Sequence, residues 1–147
     1  MSKILAFNTT ISSLHLSRRD IQDKEGQDVA RMLFTNKTLR KLELEGNALG
    51  NMTARIFALA LRKNKTLMYL DLESNNLTAD ETTTVGVEEM VMALTHNTTL
   101  LSLNLANNRL DDSVGRMFVD CLRQNETIID FEFGFNKFRL EDVSSYF

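Results

Sequence analysis

Leu67-Met68-Tyr69-Leu70-Asp71-Leu72-Glu73-Ser74-Asn75-Asn76-Leu77 is the stretch whose reading decides the fold. Leu70 and Leu72 alternate with Tyr69, Asp71 and Glu73, the period of two that turns one side of a strand to a core and the other to water. Asn75 follows where the chain must turn, and its amide can bond backbone groups left free as the strand ends. The spacing recurs on both sides. Leu39, Leu42, Leu44, Asn47 and Leu49 precede it, and Leu100, Leu103, Leu105, Asn108 and Leu110 follow. A last copy takes aromatics in place of leucine: Ile128, Phe131, Phe133, Asn136 and Phe138. A first copy has Ile11, Leu14, Leu16 and Ile21, with Arg19 where the asparagine belongs. The copies start at 11, 39, 67, 100 and 128, at spacings of 28, 28, 33 and 28. A fixed period of this size marks a stacked repeat.

The remainder of each copy has a helical period. Counting back from Asn36, Asn64, Asn97 and Asn125, the third residue is Leu33, Leu61, Leu94 or Leu122. The sixth is Ala30, Ala58, Val91 or Val119, and the seventh Val29, Phe57, Met90 or Phe118. The tenth is Gly26, Ala54, Val87 or Gly115. These offsets describe one apolar helix face, and the small tenth residue is expected to let the helix sit close to its strand. Each unit is then a strand and a helix, and stacking buries both. Asn47, Asn75, Asn108 and Asn136 are expected to form a ladder broken at Arg19.

The strand-helix unit of 28 residues resembles the ribonuclease-inhibitor-like class of leucine-rich repeats, over essentially the whole chain. The resemblance implies a right-handed α/β solenoid, a horseshoe of about five units with its parallel sheet on the concave face and helices outside. The phrase from Asn64 to Asn75 is also similar to the repeat domain of tropomodulin, a cap of actin filaments, although nothing here resembles that family's amino-terminal segments. Leu5 and Asn8 stand where Leu33 and Asn36 do, while Val143, Tyr146 and Phe147 match Gly115, Phe118 and Val119. Residues 1–147 therefore read as a single repeat domain whose ends fall inside units, a fragment or an uncapped solenoid, with end-to-end contact as one consequence.

Composition narrows the function. A chain of 147 residues, 43% hydrophobic and 25% charged, folds as a globular domain. A net charge of -3 argues against bulk nucleic-acid binding. A lone Cys121 excludes an internal disulfide framework. No apolar run has the length of a membrane span, and the opening residues lack that of a secretory signal. The expectation is a cytoplasmic protein that binds neither nucleic acid nor membrane. Catalysis finds no motif: no glycine-rich phosphate loop, no metalloprotease helix, and no nucleophile beside His15 or His96. Some repeat proteins of this class activate a small GTPase, but the loop residues for that have no match here. No cofactor and no oxygen-ligand cation loop is read either.

The polar strand positions carry the functional expectation. His15, Glu43, Asp71, Asn104 and Glu132 occupy one row, flanked by Ser13, Lys41, Tyr69, Ser102 and Asp130, and by Ser17, Glu45, Glu73, Ala106 and Gly134. Parallel neighbours lie roughly 4.8 Å apart, so Glu43 should face Asp71, and Glu45 should face Glu73. Like charges side by side destabilise a sheet, and a basic protein segment would relieve them. A solvated, screened face is the competing reading. The site is therefore Glu43, Glu45, Tyr69, Asp71, Glu73, Asn104, Asp130 and Glu132, gripping a basic segment. Two lesser features remain. Thr78–Gly86 holds the five extra residues of the long spacing, and Phe135 sits at a turn where other copies have Arg18, Gly46, Ser74 and Asn107. Phe135 could anchor a partner or pack on a following repeat. Seven Asn-x-Thr sequons, at Asn8, Asn36, Asn51, Asn64, Asn76, Asn97 and Asn125, mostly coincide with the end of the helix. The repeat explains them without glycans.

Overall fold

Five short strands form one parallel sheet in chain order, as the recurring Leu-x-Leu pattern requires. The computed structural model describes residues 2–79 and 82–137. A short helix α1 (Ser2–Ala6) leads into β1 (Ser13–His15) and α2 (Asp23–Met32). There follow β2 (Lys41–Glu43), α3 (Asn51–Lys63), β3 (Tyr69–Asp71) and α4 (Val85–Leu94). The last elements are β4 (Ser102–Asn104), α5 (Asp112–Leu122) and β5 (Asp130–Glu132). Register is the one the period demands. Leu14, Leu42, Leu70, Leu103 and Phe131 lie side by side, and so do His15, Glu43, Asp71, Asn104 and Glu132.

The leucines of the three central units are sealed between sheet and helices, together with Phe57, Met90, Leu61 and Leu94. In the last unit Phe131 and Phe133 are half-buried and stacked, their ring centroids 5.0 Å apart, and Phe118 packs at a tilt against Phe131 at 4.7 Å. Phe138 and the expected match of Val143, Tyr146 and Phe147 to earlier units lie outside the described residues. Cys121 is buried, and burial raises the pKa of its thiol, an inert core group as its position implies.

Two asparagine ladders run along the two margins of the sheet. In the expected one, Asn47 donates to Leu16 O at 2.9 Å, Asn75 to Leu44 O at 3.0 Å, Asn108 to Leu72 O at 2.8 Å and Asn136 to Leu105 O at 3.0 Å. The expected break at Arg19 is only half a break. Arg19 has no amide to offer, but its N–H and that of Ile21 donate to Asn47 Oδ1. The deeper interruption is elsewhere: among the described residues, Asn108 Oδ1 is buried with no hydrogen-bond partner, and so is Thr78 Oγ1 at the five-residue insertion. The equivalent oxygen at Asn47 and Asn136 accepts N–H groups from the turn of the preceding unit.

The second ladder stands where the sequons are. Asn36 donates to Leu5 O, Asn64 to Leu33 O and Asn36 O, Asn97 to Leu61 O and Asn125 to Leu94 O. Each Oδ1 then accepts the N–H groups two and three residues on. The side chains of Asn36, Asn64 and Asn97 are buried, so their nitrogens are committed to the fold and closed to glycans.

The helices cap each other across units. Asp23 Oδ1 accepts from Gly50 N and Thr53 N at the start of α3, and Asn51 Oδ1 accepts from Gly86 N at the start of α4. This interlock corrects the reading of the small residues. A Cβ on Gly26 would stand 2.4 Å from Leu49 Cδ2 and 2.7 Å from Thr53 Oγ1. The close approach is thus to the next unit, not to the helix's own strand. Each turn after a strand also places the same repeat position in the left-handed region, at Arg18, Gly46, Ser74, Asn107 and Phe135, with φ between 53° and 65°, and Asp20, Ala79 and Arg109 adopt it as well.

Candidate functional site

The concave face is a row of strand residues whose alternate neighbours are locked in the core, so its side chains have nowhere else to go. A shallow hollow over β2 to β5 is lined by Lys41, Glu43, Tyr69, Asp71, Ser102, Asn104, Asp130 and Glu132, with Leu42 and Leu70 beneath. Six of the eight residues expected in the site therefore meet there. Glu45 and Glu73 lie in the next row, beyond the hollow's lining.

The electrostatics are less one-sided than the row of acids suggests. Glu43 is held by Lys41 Nζ at 2.5 Å and also contacts His15 Nδ1. Glu45 meets Arg18 at 2.7 Å. The Lys41 hydrogen bond is the largest influence holding the Glu43 carboxyl below its ordinary range, with His15 adding to it against the cost of burial. The expectation that Glu43 and Glu45 stand as unrelieved charges is thus corrected: Lys41 on the same strand and Arg18 on the first turn relieve them, and His15 on β1 contacts Glu43. Both pairs are partly exposed, and such pairs contribute little to stability. They can be exchanged for a partner's cation at small cost.

The carboxylates toward β5 have no such relief among these ion pairs. Asp71 is half-buried and held above its ordinary range, first by burial and then by Glu73, Glu45 and Glu43, against the Glu73 N–H that donates to its Oδ1 at 3.0 Å. Glu73 accepts from Asn104 Nδ2 at 3.0 Å, and Asp130 from Ser102 Oγ at 2.7 Å. These are neutral donors. Asn104 also orders its own turn, its Oδ1 accepting from Ala106 N. Tyr69 is 41% exposed at the rim of the hollow. The arrangement offers an aromatic edge and at least four carboxylates to an incoming cation. Among the described residues no group of three metal-capable side chains gathers, and no helix is long and apolar enough to cross a membrane.

The raised Asp71 pKa gives a signed prediction. A carboxyl that is harder to ionise when folded costs stability above its folded pKa, and the cost fades as pH falls through that value toward the unfolded one. Asp71→Asn keeps the acceptor for Glu73 N. It is expected to raise the melting temperature at neutral pH, with the gain shrinking to nothing below the ordinary aspartate range. Melting curves at both ends of that window check it, and an equal or larger gain in acid would contradict it.

Two placements escaped the sequence. Lys41 and Arg18 act as counter-charges and His15 contacts Glu43, although all three stand in the rows and turn already counted. Phe135 stands at the turn position that its spacing assigned, 93% exposed and left-handed, a costly conformation for a bulky residue. Met52, Leu59, Val85 and Met92 are apolar and exposed on the outer helices, a signal present in the helix offsets.

A family model described as Leucine Rich repeat matches residues 35–51, 63–80 and 96–115. No curated protein sequence matches the chain. A solved structure titled leiomodin-1 actin-binding site 2 superposes with a TM-score of 0.85 at 20% identity, covering 99% of this chain and 82% of that one. A tropomodulin C-terminal domain from Caenorhabditis elegans superposes with a TM-score of 0.78 at 16% identity, covering 98% and 86%. At such identities the likeness is one of fold: strand for strand, the same kind of solenoid.

Proposed function

We propose that this chain, whose residues 35–51, 63–80 and 96–115 match leucine-rich repeats, is a non-catalytic interaction module, gripping a basic protein segment against its concave face. The observation that carries the reading is the run of carboxylates on β3 to β5, Asp71, Glu73, Asp130 and Glu132, beside the exposed Tyr69 ring and without a cation of their own among the ion pairs described. An arriving lysine or arginine relieves the repulsion that Glu73, Glu45 and Glu43 exert around Asp71. Glu43 and Glu45 widen the footprint by trading Lys41 and Arg18 for the ligand. Asn104 holds Glu73 in place. A cytoplasmic setting fits the single buried thiol.

The test uses arginine-rich and lysine-rich peptides of scrambled order, with acidic peptides as controls. Binding of the basic set is expected to weaken at least about tenfold, roughly 1.4 kcal/mol, when Asp71, Asp130 and Glu132 become Asn, Asn and Gln. It should also fall with added salt. Equal binding by the neutralised chain would refute the concave site.

A second reading has its own observation. The likeness to leiomodin-1 actin-binding site 2 spans nearly the whole chain, which favours a cytoskeletal role on actin filaments. In that case the chain sediments with filamentous actin, and neutralising the carboxylates leaves the sedimented fraction unchanged. End-to-end contact between solenoids belongs with this reading, and Ile4 and Phe7, 77% and 79% exposed at α1 ahead of the first unit, support it.

A further inference from the structure

Where each strand begins, two successive N–H groups share one carbonyl of the strand before. Met68 N and Tyr69 N donate to Arg40 O at 2.8 and 2.9 Å, and Leu101 N and Ser102 N to Met68 O at 2.8 and 3.0 Å. Ile129 N and Asp130 N donate to Leu101 O at 2.9 and 3.1 Å. Such a bulge inserts one residue and re-aims a side chain. Strict alternation back from Leu72 and Leu70 would turn Leu67 to water and Met68 to the core. Instead Leu67 and Leu100 are buried, and Met68 and Leu101 are partly exposed beside Tyr69 and Ser102. The bulge thus adds an outward residue at one margin of the concave face in each unit. The row reads Ser12, Arg40, Met68, Leu101 and Ile129, with Ile129 80% exposed and Arg40 Nη1 meeting Met68 Sδ at 3.6 Å. It is polar on the first two units and apolar on the last three, so the repeat does not require apolar residues there. The change falls at β3, where the carboxylates also cease to have cations among the ion pairs described.

We infer that the basic segment is an amphipathic helix lying across β3, β4 and β5, its apolar stripe along Met68, Leu101 and Ile129 and its lysines or arginines over the carboxylates. The inference rests on the concave-face reading above and gives that partner a shape. Three parallel strands at roughly 4.8 Å span about 10 Å. Seven helical residues rise about 10.5 Å, so side chains at i, i+3 or i+4, and i+7 meet the three apolar residues in turn. Asp71 stands three residues beyond Met68, about 10 Å along the strand, and a helix with its side chains is roughly 10–12 Å wide. One helix therefore covers the apolar row and the carboxylate row together. Tyr69 stands between the two, 41% exposed, where its ring can meet a cation. An extended segment sends alternate side chains to opposite sides and would turn either its apolar or its basic set away from the sheet. The apolar row also supplies an attraction that salt does not screen, which the carboxylates alone cannot.

Fluorescence anisotropy with three labelled peptides tests it. One is a leucine-lysine helix former with an apolar stripe, one has the same residues shuffled to destroy the stripe, and one has alanine for each leucine. The striped peptide is expected to bind at least about tenfold tighter than either of the others. Leu101→Gln with Ile129→Ser should remove that advantage and leave the alanine peptide's affinity unchanged, with the circular dichroism spectrum intact. Ile129→Ser alone changes a side chain on the surface, so it serves if the double variant misfolds, and should cost the striped peptide about threefold. Equal affinity for all three peptides, or an advantage that survives these substitutions, overturns the inference. In that case the concave site still stands if neutralising Asp71, Asp130 and Glu132 releases the alanine peptide. If the alanine peptide ignores those carboxylates, the concave site falls and the inference falls with it.

Discussion

Asn64→Ala is expected to lower the free energy of unfolding by about 3–5 kcal/mol, a large part of the roughly 5–15 kcal/mol that holds a domain of this size. The side chain is buried and makes four bonds to backbone groups, besides one from the Thr66 hydroxyl. Its nitrogen donates to Leu33 O at 2.9 Å and Asn36 O at 3.1 Å, and its oxygen accepts from Thr66 N at 2.9 Å and Leu67 N at 2.8 Å. Alanine removes one partner from each bond and leaves four backbone groups to be satisfied, and each unpaired buried group costs about 1–3 kcal/mol. Water admitted to the gap recovers part of this, which sets the range below the full sum. Asn8→Ala is the control, because its oxygen serves Thr10 N and Ile11 N in an exposed setting. Its cost should stay under about 1 kcal/mol, since water replaces the lost acceptor. Urea unfolding followed by circular dichroism measures both. Equal costs would mean that the buried ladder does not hold the units together.

Gly86→Ala carries the second large effect. An added Cβ would lie 2.3 Å from the Asn51 carbonyl oxygen, 2.8 Å from Asn51 Oδ1 and 3.0 Å from Ala54 Cβ. The first of these is backbone and cannot swing aside. The start of α4 must move off α3, and the 2.7 Å bond from Gly86 N to Asn51 Oδ1 goes with it. The expected loss is about 2–4 kcal/mol, combining overpacking with one hydrogen bond. Helix propensity alone predicts the opposite sign, a gain of up to about 1 kcal/mol for alanine over glycine. The sign of the measured change therefore decides whether the interlock of α3 and α4 is as tight as described. Gly134→Ala, with nothing within 4 Å of its added carbon, should change stability by no more than about 0.5 kcal/mol.

The register of every strand was legible because burial enforces a period of two. A shift by one residue would have turned Leu42, Leu70 and Leu103 to water. The helix faces were legible for the same reason. What could not be read was anything set by side-chain length across a gap of 28 residues. Arg18 reaching Glu45 and Asp23 capping α3 both join residues whose neighbourhood exists only once units are stacked. The second ladder was half visible: Asn36, Asn64, Asn97 and Asn125 were identified as helix stops, and their bonds to the preceding unit follow from the same spacing that located them. The seam at Asn108 was hidden because the path of an inserted loop is not periodic. Of the expected site, the row of carboxylates was readable from position alone, while its partial neutralisation depended on which way Lys41 and His15 turn.

That seam has a mechanical consequence. Asn97 and Asn125 each hold the preceding unit on one edge of the stack, whereas on the opposite edge Asn108 holds it through its nitrogen alone, its oxygen having no partner among the described residues. An edge that lacks half a stitch is expected to yield before one that is fully sewn. The junction between the third and fourth units is therefore where the horseshoe should open or tighten its curve at least cost, pivoting on the Asn125 edge. The strands on either side of it, β3 and β4, carry Tyr69, Asp71, Ser102 and Asn104. Such a jaw would have its compliance beside the bite.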